Sequence, residues 1–237
     1  MVGDTKMRVC IVVPVTLVDK KLFDITLRFL DSIDKRTTYS NYDVLVYDSN
    51  SDLKLTRRLS QEIGNLKNKD KFKVKILTNY RFNISQIYNT SLKDSSADMF
   101  IMSNNDMEII NAEWLTNIVR WIENIPDIGI CIPYHDFLGD PLNVMLNDTV
   151  EDHGRVSFAI YGITRKVIKD IGGFDERFDL YYHDHDVYSM VIKKGYKVLW
   201  AHNALVKHYG ERTTINHPNI ERHDYKRAHN LFLSKKY

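Results

Sequence analysis

The sequence predicts an α/β fold, a Rossmann-like, mostly parallel central sheet flanked by helices, in a single domain over residues 1–237. Three observations predict it. Short β-branched runs of strand length recur through the first hundred residues, stretches with helical periodicity separate them, and polar residues gather where each run ends. Strand and helix alternating in this way build a sheet whose ligand crevice lies outside the carboxyl ends of the strands.

The runs are RVCIVV (8–13), DVLVY (43–47), KVKIL (73–77) and DMFIM (98–102). Between them Leu22, Ile25, Phe29, Leu30 and Ile33, then Leu55, Leu59, Ile63 and Leu66, then Ile84, Ile87, Tyr88 and Leu92 recur at helical spacing. A further helix is expected at 112–124, where Trp114, Leu115, Ile118, Val119 and Ile122 share a face and Pro126 comes just after. DIGICIP and VSFAIYGI read as strands, RKVIKDI as a short helix, GGFDE as a turn, and DVYSMVIKKG as a helix ended by Gly195. KVLWA and ALVKH read as two more short strands. Residues 135–155, rich in Asp, Asn and Gly, read as a loop of a length that is usually functional or mobile. The chain thus divides into a nucleotide-type half (1–107), a second half on the same sheet (108–220) and a basic final helix (221–237).

Composition excludes several classes. With 33 Lys+Arg against 31 Asp+Glu and 43% hydrophobic residues, the chain is neither collagen-like, coiled-coil nor disordered. Cys10 and Cys131 sit in apolar runs and read as small buried hydrophobes, the longest apolar run (VCIVVPV) is far too short to span a membrane, and no leader is evident, so a cytoplasmic setting is expected. From Glu221 onward Arg222, Lys226, Arg227, Lys235 and Lys236 outweigh Glu221 and Asp224, which gives the tail +3. All nine histidines lie after residue 134, so protonatable, metal-competent side chains are concentrated in the second half.

Four segments carry candidate chemistry. SNNDMEI (103–109) comes after the fourth strand and offers hard oxygen ligands for Mg²⁺ or Mn²⁺, or is a turn, which Asn and Asp favour locally. In VYDSNSD (46–52), Asp48 is placed to hydrogen-bond a base or ribose, or the segment caps the next helix, a role that Asp52 fits better. GGFDERFDLYYHDHDVY (172–188) sets His183, Asp184, His185 and Asp186 at a helix start, where N–H groups keep carboxylates ionised. There an Asp suits the role of general base, or Asp186 is an N-cap with exposed His neighbours. KHYG (207–210) places His208 beyond a strand, as a metal ligand or as an ordinary satisfied His. The GxGxxG and GxxxxGK[ST] patterns are absent, against a dinucleotide-binding or P-loop protein.

The order of these segments is more specific than any one of them. VVPV, the Asp-Ser-Asn-Ser-Asp turn, FNISQIYN, SNNDMEI, GGFDERF followed by YYHDHDVYSMVIKKGYKVLW, and VKHYG resemble family 2 glycosyltransferases of the GT-A fold over roughly residues 7–210. The segments at 98–109 and 172–210 are similar to the rhamnosyltransferase-like branch, and FNISQIYN to the chondroitin-polymerase-like branch.

The resemblance implies a metal-dependent, inverting transfer of a sugar from a UDP- or dTDP-sugar to a hydroxyl of a glycan, a lipid-linked glycan, a protein or a modified DNA base. It implies Asp184 as catalytic base and Asp106 with His208 as ligands of Mn²⁺ or Mg²⁺. Asp48, Asn83, Asn89 and Asn105 fall at donor-site positions, and Asp175, His183, His185 and Asp186 beside the acceptor or behind the base. The chain departs from the family pattern at Asn104, where the first acid of Asp-x-Asp stands, at His183, where Glu commonly precedes the base, and at Ser91, usually Gly. PVTLVDK lacks the usual aromatic-Asn pair. Asn104 and His183 also motivate a second reading, a sugar-nucleotide or glycan-binding module without turnover. A third, a nucleotidyltransferase on a similar sheet, would show a Gly-rich loop after the first strand, and none is present.

Overall fold

The computed structural model describes residues 6–77, 82–136, 149–151, 158–210, 222–235 and 237. Among these, nine strands form one sheet: β1 Val9–Val15, β2 Tyr42–Ser49, β3 Phe72–Leu77, β4 Met99–Ser103, β5 Met107–Ile109, β6 Ile128–Asp136, β7 Thr149–Glu151, β8 Ile160–Thr164 and β9 Lys197–His208. Seven α-helices accompany them: α1 Lys20–Arg36, α2 Leu53–Gly64, α3 Ile84–Asp94, α4 Trp114–Asn124, α5 Arg165–Ile171, α6 His183–Lys193 and α7 Arg222–Ser234. The strand order is β3-β2-β1-β4-β8-β6-β9-β5, with β7 also on β9. The β3-β2-β1-β4 block and the β6–β9 pair are parallel, while β8, β5 and β7 run against their neighbours.

The first half winds as the alternating pattern predicts. β1 and β4 are buried along their whole length, so their VCIVVPV and MFIMS sequences are continuously apolar apart from the last residue of β4, as strands covered on both faces require. From β1 the chain passes outward to β2 and β3, then returns to the other side of β1 as β4. That reversal makes a crevice between the carboxyl ends of β1 and β4, the place where open α/β sheets bind ligands. The β1–β4 pairing ends at Val12 and Met102, although β1 continues beside β2 to Val15. Pro14 therefore lies where β1 has a partner on one side only, so its missing N–H breaks no β1–β4 rung.

Local chemistry fixes the helix starts. Asp19 Oδ1 accepts from the Leu22 N–H (2.7 Å) at α1, and Asp52 Oδ1 from the Lys54 N–H (2.8 Å) at α2, the N-cap geometry expected of Asp. Cys10 and Cys131 are buried and free, and burial pushes both thiols up to about 12. They pack as apolar side chains.

The second half departs from its sequence pattern in four places. Residues 197–208 form one strand, β9, rather than two, because its register on β6 jumps between Pro133↔Ala201 and Tyr134↔Leu205, an irregularity that the chain absorbs without leaving the sheet. Met107–Ile109 is a short strand, β5, paired antiparallel to β9, so the acidic segment is a strand-turn-strand rather than a free turn. Within 135–155, β6 continues to Asp136 and β7 pairs with β9; the other residues of that expected loop lie outside those described. Finally, α6 begins at His183, with Tyr182 as its cap, so Asp186 is in the first turn and is not an N-cap.

The turn 172–176 docks the two halves. Gly172 (φ 89°) and Gly173 (φ 87°) adopt left-handed backbone that other residues rarely take, and Asn89 of α3 clamps the next three residues. Its Nδ2 donates to the Phe174 carbonyl (2.8 Å) and Glu176 Oε1 (2.9 Å), and its Oδ1 accepts from the Phe174 N–H (3.0 Å). Asn89→Ala should destabilise the fold by roughly 2–3 kcal/mol, because the Phe174 backbone groups lose their partners. A urea-melt midpoint shifted by less than about 0.5 kcal/mol would show that the clamp is unimportant.

Candidate active site

Two acidic centres meet at the carboxyl end of the sheet. After β4 the chain turns through Asn104, Asn105 and Asp106 into β5. The turn is held from three sides: the Asn104 N–H donates to the Ala159 carbonyl (2.7 Å), Asn105 Nδ2 to Thr26 Oγ1 of α1 (2.9 Å), and the Tyr209 N–H to the Asp106 carbonyl (2.9 Å). The β5–β9 register sets Met107 opposite His208. This brings His208 Nε2 to 3.2 Å from Asp106 Oδ1, with side-chain exposures of 9% and 4%.

Asp106 Oδ1 is buried and accepts no hydrogen bond among the described residues, which for a carboxylate oxygen calls for a cation. The spacing fits one. Octahedral ligands roughly 2.1 Å from an ion stand about 3 Å apart at right angles. Among the described residues no three His, Cys, Asp or Glu side chains form a metal-holding group, and Asp106 and His208 stand as a pair.

The second centre is the first turn of α6. The Asp184 carboxylate accepts at Oδ1 from the His185 N–H (2.9 Å), faces His185 Nδ1 at 3.0 Å, and accepts at Oδ2 from the Phe158 N–H (3.3 Å). Burial opposes its ionisation, but the His185 bond and the neighbouring His183 and His185 outweigh it and hold the carboxyl below the usual range. His183 is buried, its Nδ1 lies 3.0 Å from the Leu180 carbonyl, and desolvation pushes its pKa down. Phe158 and Ala159 are consecutive, so one stretch of backbone grips Asp184 with its N–H and the Asn104–Asp106 turn with its C=O.

The remaining expected residues have other partners. Asp48 is buried at the end of β2, where its Oδ2 accepts from Thr56 Oγ1 (2.6 Å). Beside it Ser51 Oγ accepts from the Leu17 N–H (2.6 Å), which ties the β1 and β2 ends together at the crevice. Asn83 caps α3, accepting from the Gln86 N–H (2.9 Å), and donates to the Glu176 carbonyl (2.8 Å). Asn83 and Asn89 therefore both hold the 172–178 turn. Residue 79, another polar strand-end position, lies outside those described.

Asp175 and Asp186 belong to a different assembly. Lys235, just past α7, bonds Asp186 Oδ1 and Asp175 Oδ2, while Tyr237 Oη donates to Asp186 Oδ1 (2.6 Å). Arg177 completes the set on Asp175, and its guanidinium, working against burial and together with Lys235, holds that carboxyl well below the usual range. Arg227 of α7 reaches Asp179 (2.7 Å). Tyr182, at φ 65° a left-handed non-glycine residue, lies 2.7 Å from His229 Nδ1 and 3.0 Å from Tyr225 Oη; such a backbone costs about 1–2 kcal/mol and needs surrounding contacts to persist. The last helix thus holds the first turn of α6 and the turn before it, contacts that the sequence did not indicate.

A sequence profile described as Glycosyl transferase family 2 matches residues 10–200. The chain belongs to glycosyl transferase family 2. The O-antigen biosynthesis protein RfbC of Myxococcus xanthus is 24% identical, over 78% of this chain and 16% of that protein. An uncharacterized protein of Sinorhizobium fredii, y4gI, is 23% identical over 76% of this chain and 22% of its own length. The glycosyltransferase chain therefore spans less than a quarter of these curated relatives. Among solved structures, a mannosyltransferase of Pyrobaculum calidifontis in complex with GDP-Man and Mn²⁺ superposes with a TM-score of 0.63 at 18% identity, over 86% of this chain and 57% of that one. GalNAc-T7 with UDP, GalNAc and Mn²⁺ does so at 0.69 and 14%, over 85% and 43%. The glycosyltransferase thus has the GT-A fold, and no helix among its described residues is long and apolar enough to cross a membrane.

The strap and the buried imidazole can each be tested by substitution. Lys235→Met leaves Asp186, nearly fully buried, with Tyr237 as its remaining bonded side chain, and should cost about 2 kcal/mol in chemical denaturation; an unchanged midpoint would show that the strap is idle. His183 has a folded pKa below its unfolded value, so its contribution is complete above about pH 6.5 and is lost as pH falls from there. Thermal melts from pH 7 to pH 5 should therefore decline more steeply for the wild type than for His183→Phe, and parallel declines would refute the assignment.

Proposed function

We propose that this domain is a metal-dependent, inverting glycosyltransferase that moves a sugar from a UDP- or dTDP-sugar to an acceptor hydroxyl. One observation carries the reading. Buried Asp106 and His208, 3.2 Å apart, stand at the carboxyl end of the sheet and are tied through Ala159 and Phe158 to Asp184, an ionised carboxylate at a helix start. Asp106 and His208 would hold Mn²⁺ or Mg²⁺ together with the donor's diphosphate, and the ion offsets the negative charge that gathers on the departing diphosphate. The complexes of similar fold with GDP-Man and Mn²⁺ and with UDP and Mn²⁺ support this division of labour.

The chain's own residues supply the rest. Asp48, beside the Leu17–Ser51 tie, would contact the nucleoside end of the donor. Asn105, bonded to Thr26, fixes the turn that presents Asp106. Asp184 and its neighbours accept the proton of the incoming hydroxyl on the side opposite the leaving group, which gives in-line displacement with inversion. Asn104 in place of an acid leaves one fewer charge for the ion, consistent with metal binding that strengthens when the donor brings its phosphates. Residues 1–107 serve the donor, residues 108–220 the acceptor and the base, and 221–237 the strap. The acceptor is a glycan or another hydroxyl-bearing molecule, and the setting is cytoplasmic.

A thermal-shift screen of UDP-, dTDP- and GDP-sugars with and without Mn²⁺ tests the reading. A true donor at about 100 times its Kd should add roughly 2.7 kcal/mol of apparent stability, and only when Mn²⁺ is present. Asp106→Ala should abolish that metal-dependent shift and lower turnover at least 100-fold. Donor binding that survives this substitution with its metal dependence intact would overturn the metal assignment.

A further inference from the structure

Resting on the transferase reading above, we propose that the group which takes the acceptor's proton is His185 Nε2, with Asp184 acting as the carboxylate that orients it. Both oxygens of Asp184 are already engaged. Oδ1 accepts from the His185 N–H and stands 3.0 Å from His185 Nδ1, and Oδ2 accepts from the Phe158 N–H. An ionised carboxylate only accepts, so the hydrogen between Oδ1 and Nδ1 sits on Nδ1, and the lone pair of the neutral ring is on Nε2. Among the described residues Nε2 makes no hydrogen bond. The imidazole is also the more accessible of the two, with 36% side-chain exposure against 16% for Asp184.

The ring is held for the task. Tyr182 lies 4.8 Å from it, centroid to centroid, and Phe232 of α7 approaches edge-on at 5.8 Å. Tyr182 is itself fixed by Tyr225 and His229. Among the described residues the titratable and charged groups near His185 are Asp184, His183 and Asp186 on its own helix, the last covered by Lys235 and Tyr237, and Tyr182 before it, which in turn meets Tyr225 and His229 on α7. A buried carboxylate on Nδ1–H and an open Nε2 are the parts by which an imidazole accepts a proton from a hydroxyl while the carboxylate sets its tautomer and steadies the imidazolium.

The step balances. The acceptor oxygen forms a bond to the anomeric carbon as its proton passes to His185 Nε2. The bond from the anomeric carbon to the diphosphate oxygen breaks, and its electron pair leaves with the nucleoside diphosphate. The imidazolium beside Asp184 then returns its proton to water.

The test is release of nucleoside diphosphate from the donor found by thermal shift, at saturating Mn²⁺ and with water as acceptor, measured against pH. For the wild type kcat should show an acid limb that depends on His185. His185→Gln should lose roughly 100-fold or more in kcat, with donor KM within about twofold, and the limb should vanish. Added imidazole should restore part of the turnover of His185→Ala. A wild-type acid limb that His185→Gln leaves unchanged overturns the proposal, as does His185→Gln within about threefold of wild type. If Asp184→Asn is inactive while His185→Gln keeps the wild-type profile, the transferase reading stands and the proton goes to Asp184. If the wild type releases no nucleoside diphosphate from any donor, both readings fall together.

Discussion

Two adjacent backbone groups carry the geometry of the site. The Phe158 N–H holds Asp184, and the Ala159 carbonyl holds the Asn104 N–H, which starts the turn to Asp106. A side chain can change rotamer, but a backbone segment leading into a strand between β4 and β6 cannot shift without breaking both ladders. The separation between Asp106 and Asp184 is therefore set by sheet register. The crevice between the β1 and β4 ends supplies the open space, and Phe158–Ala159 sets the distance across it. Positioning through the main chain suits a reaction in which the attacking and leaving groups must lie on one line, where small displacements are costly in rate.

A second constraint comes from opposite charges on different elements. Asp175, Asp179 and Asp186 lie along the path from the 172–178 turn into α6, and all three are answered from the last helix and its exit, by Lys235, Arg227 and Tyr237. Two of the tail's described cations are thus engaged inside the molecule. Part of the +3 of the final seventeen residues thus answers the acidic segment. The strained backbone of Tyr182 fits the same account, since Tyr225 and His229 hold the ring and the left-handed residue starts the helix that carries Asp184 and His185.

How much of the fold and site was legible in the sequence depends on how local each cause is. β1, β2 and β4 announced themselves because strands buried on both faces need runs of apolar residues, the edge strand β3 by its short β-branched run, and α1 and α2 by the helical spacing of their apolar residues. The fusion of 197–208 into β9 was hidden, because the irregularity that allows it lies in the pairing with β6, at Pro133 and Tyr134, remote in sequence. β5 was hidden because three residues are too few to show a period. Asp106, His208 and Asp184 stood out through their order along the chain, but the sequence did not show that Asn83 and Asn89 would clamp the 172–178 turn, nor that Lys235 would cover Asp186. Those depend on contacts spanning between forty-nine and ninety-three residues.

Two of the nine histidines, His183 and His185, lie in the first turn of α6. The N-terminal turn of a helix favours negative and disfavours positive charge, so an ionised Asp184 is at home there while His183, buried, is held neutral. A lone imidazole in that turn would be a poor proton acceptor, because the helix end opposes the imidazolium. Asp184 against Nδ1 removes the difficulty: the pair carries one negative charge at rest and none after His185 gains a proton, so the helix end never faces net positive charge from the pair.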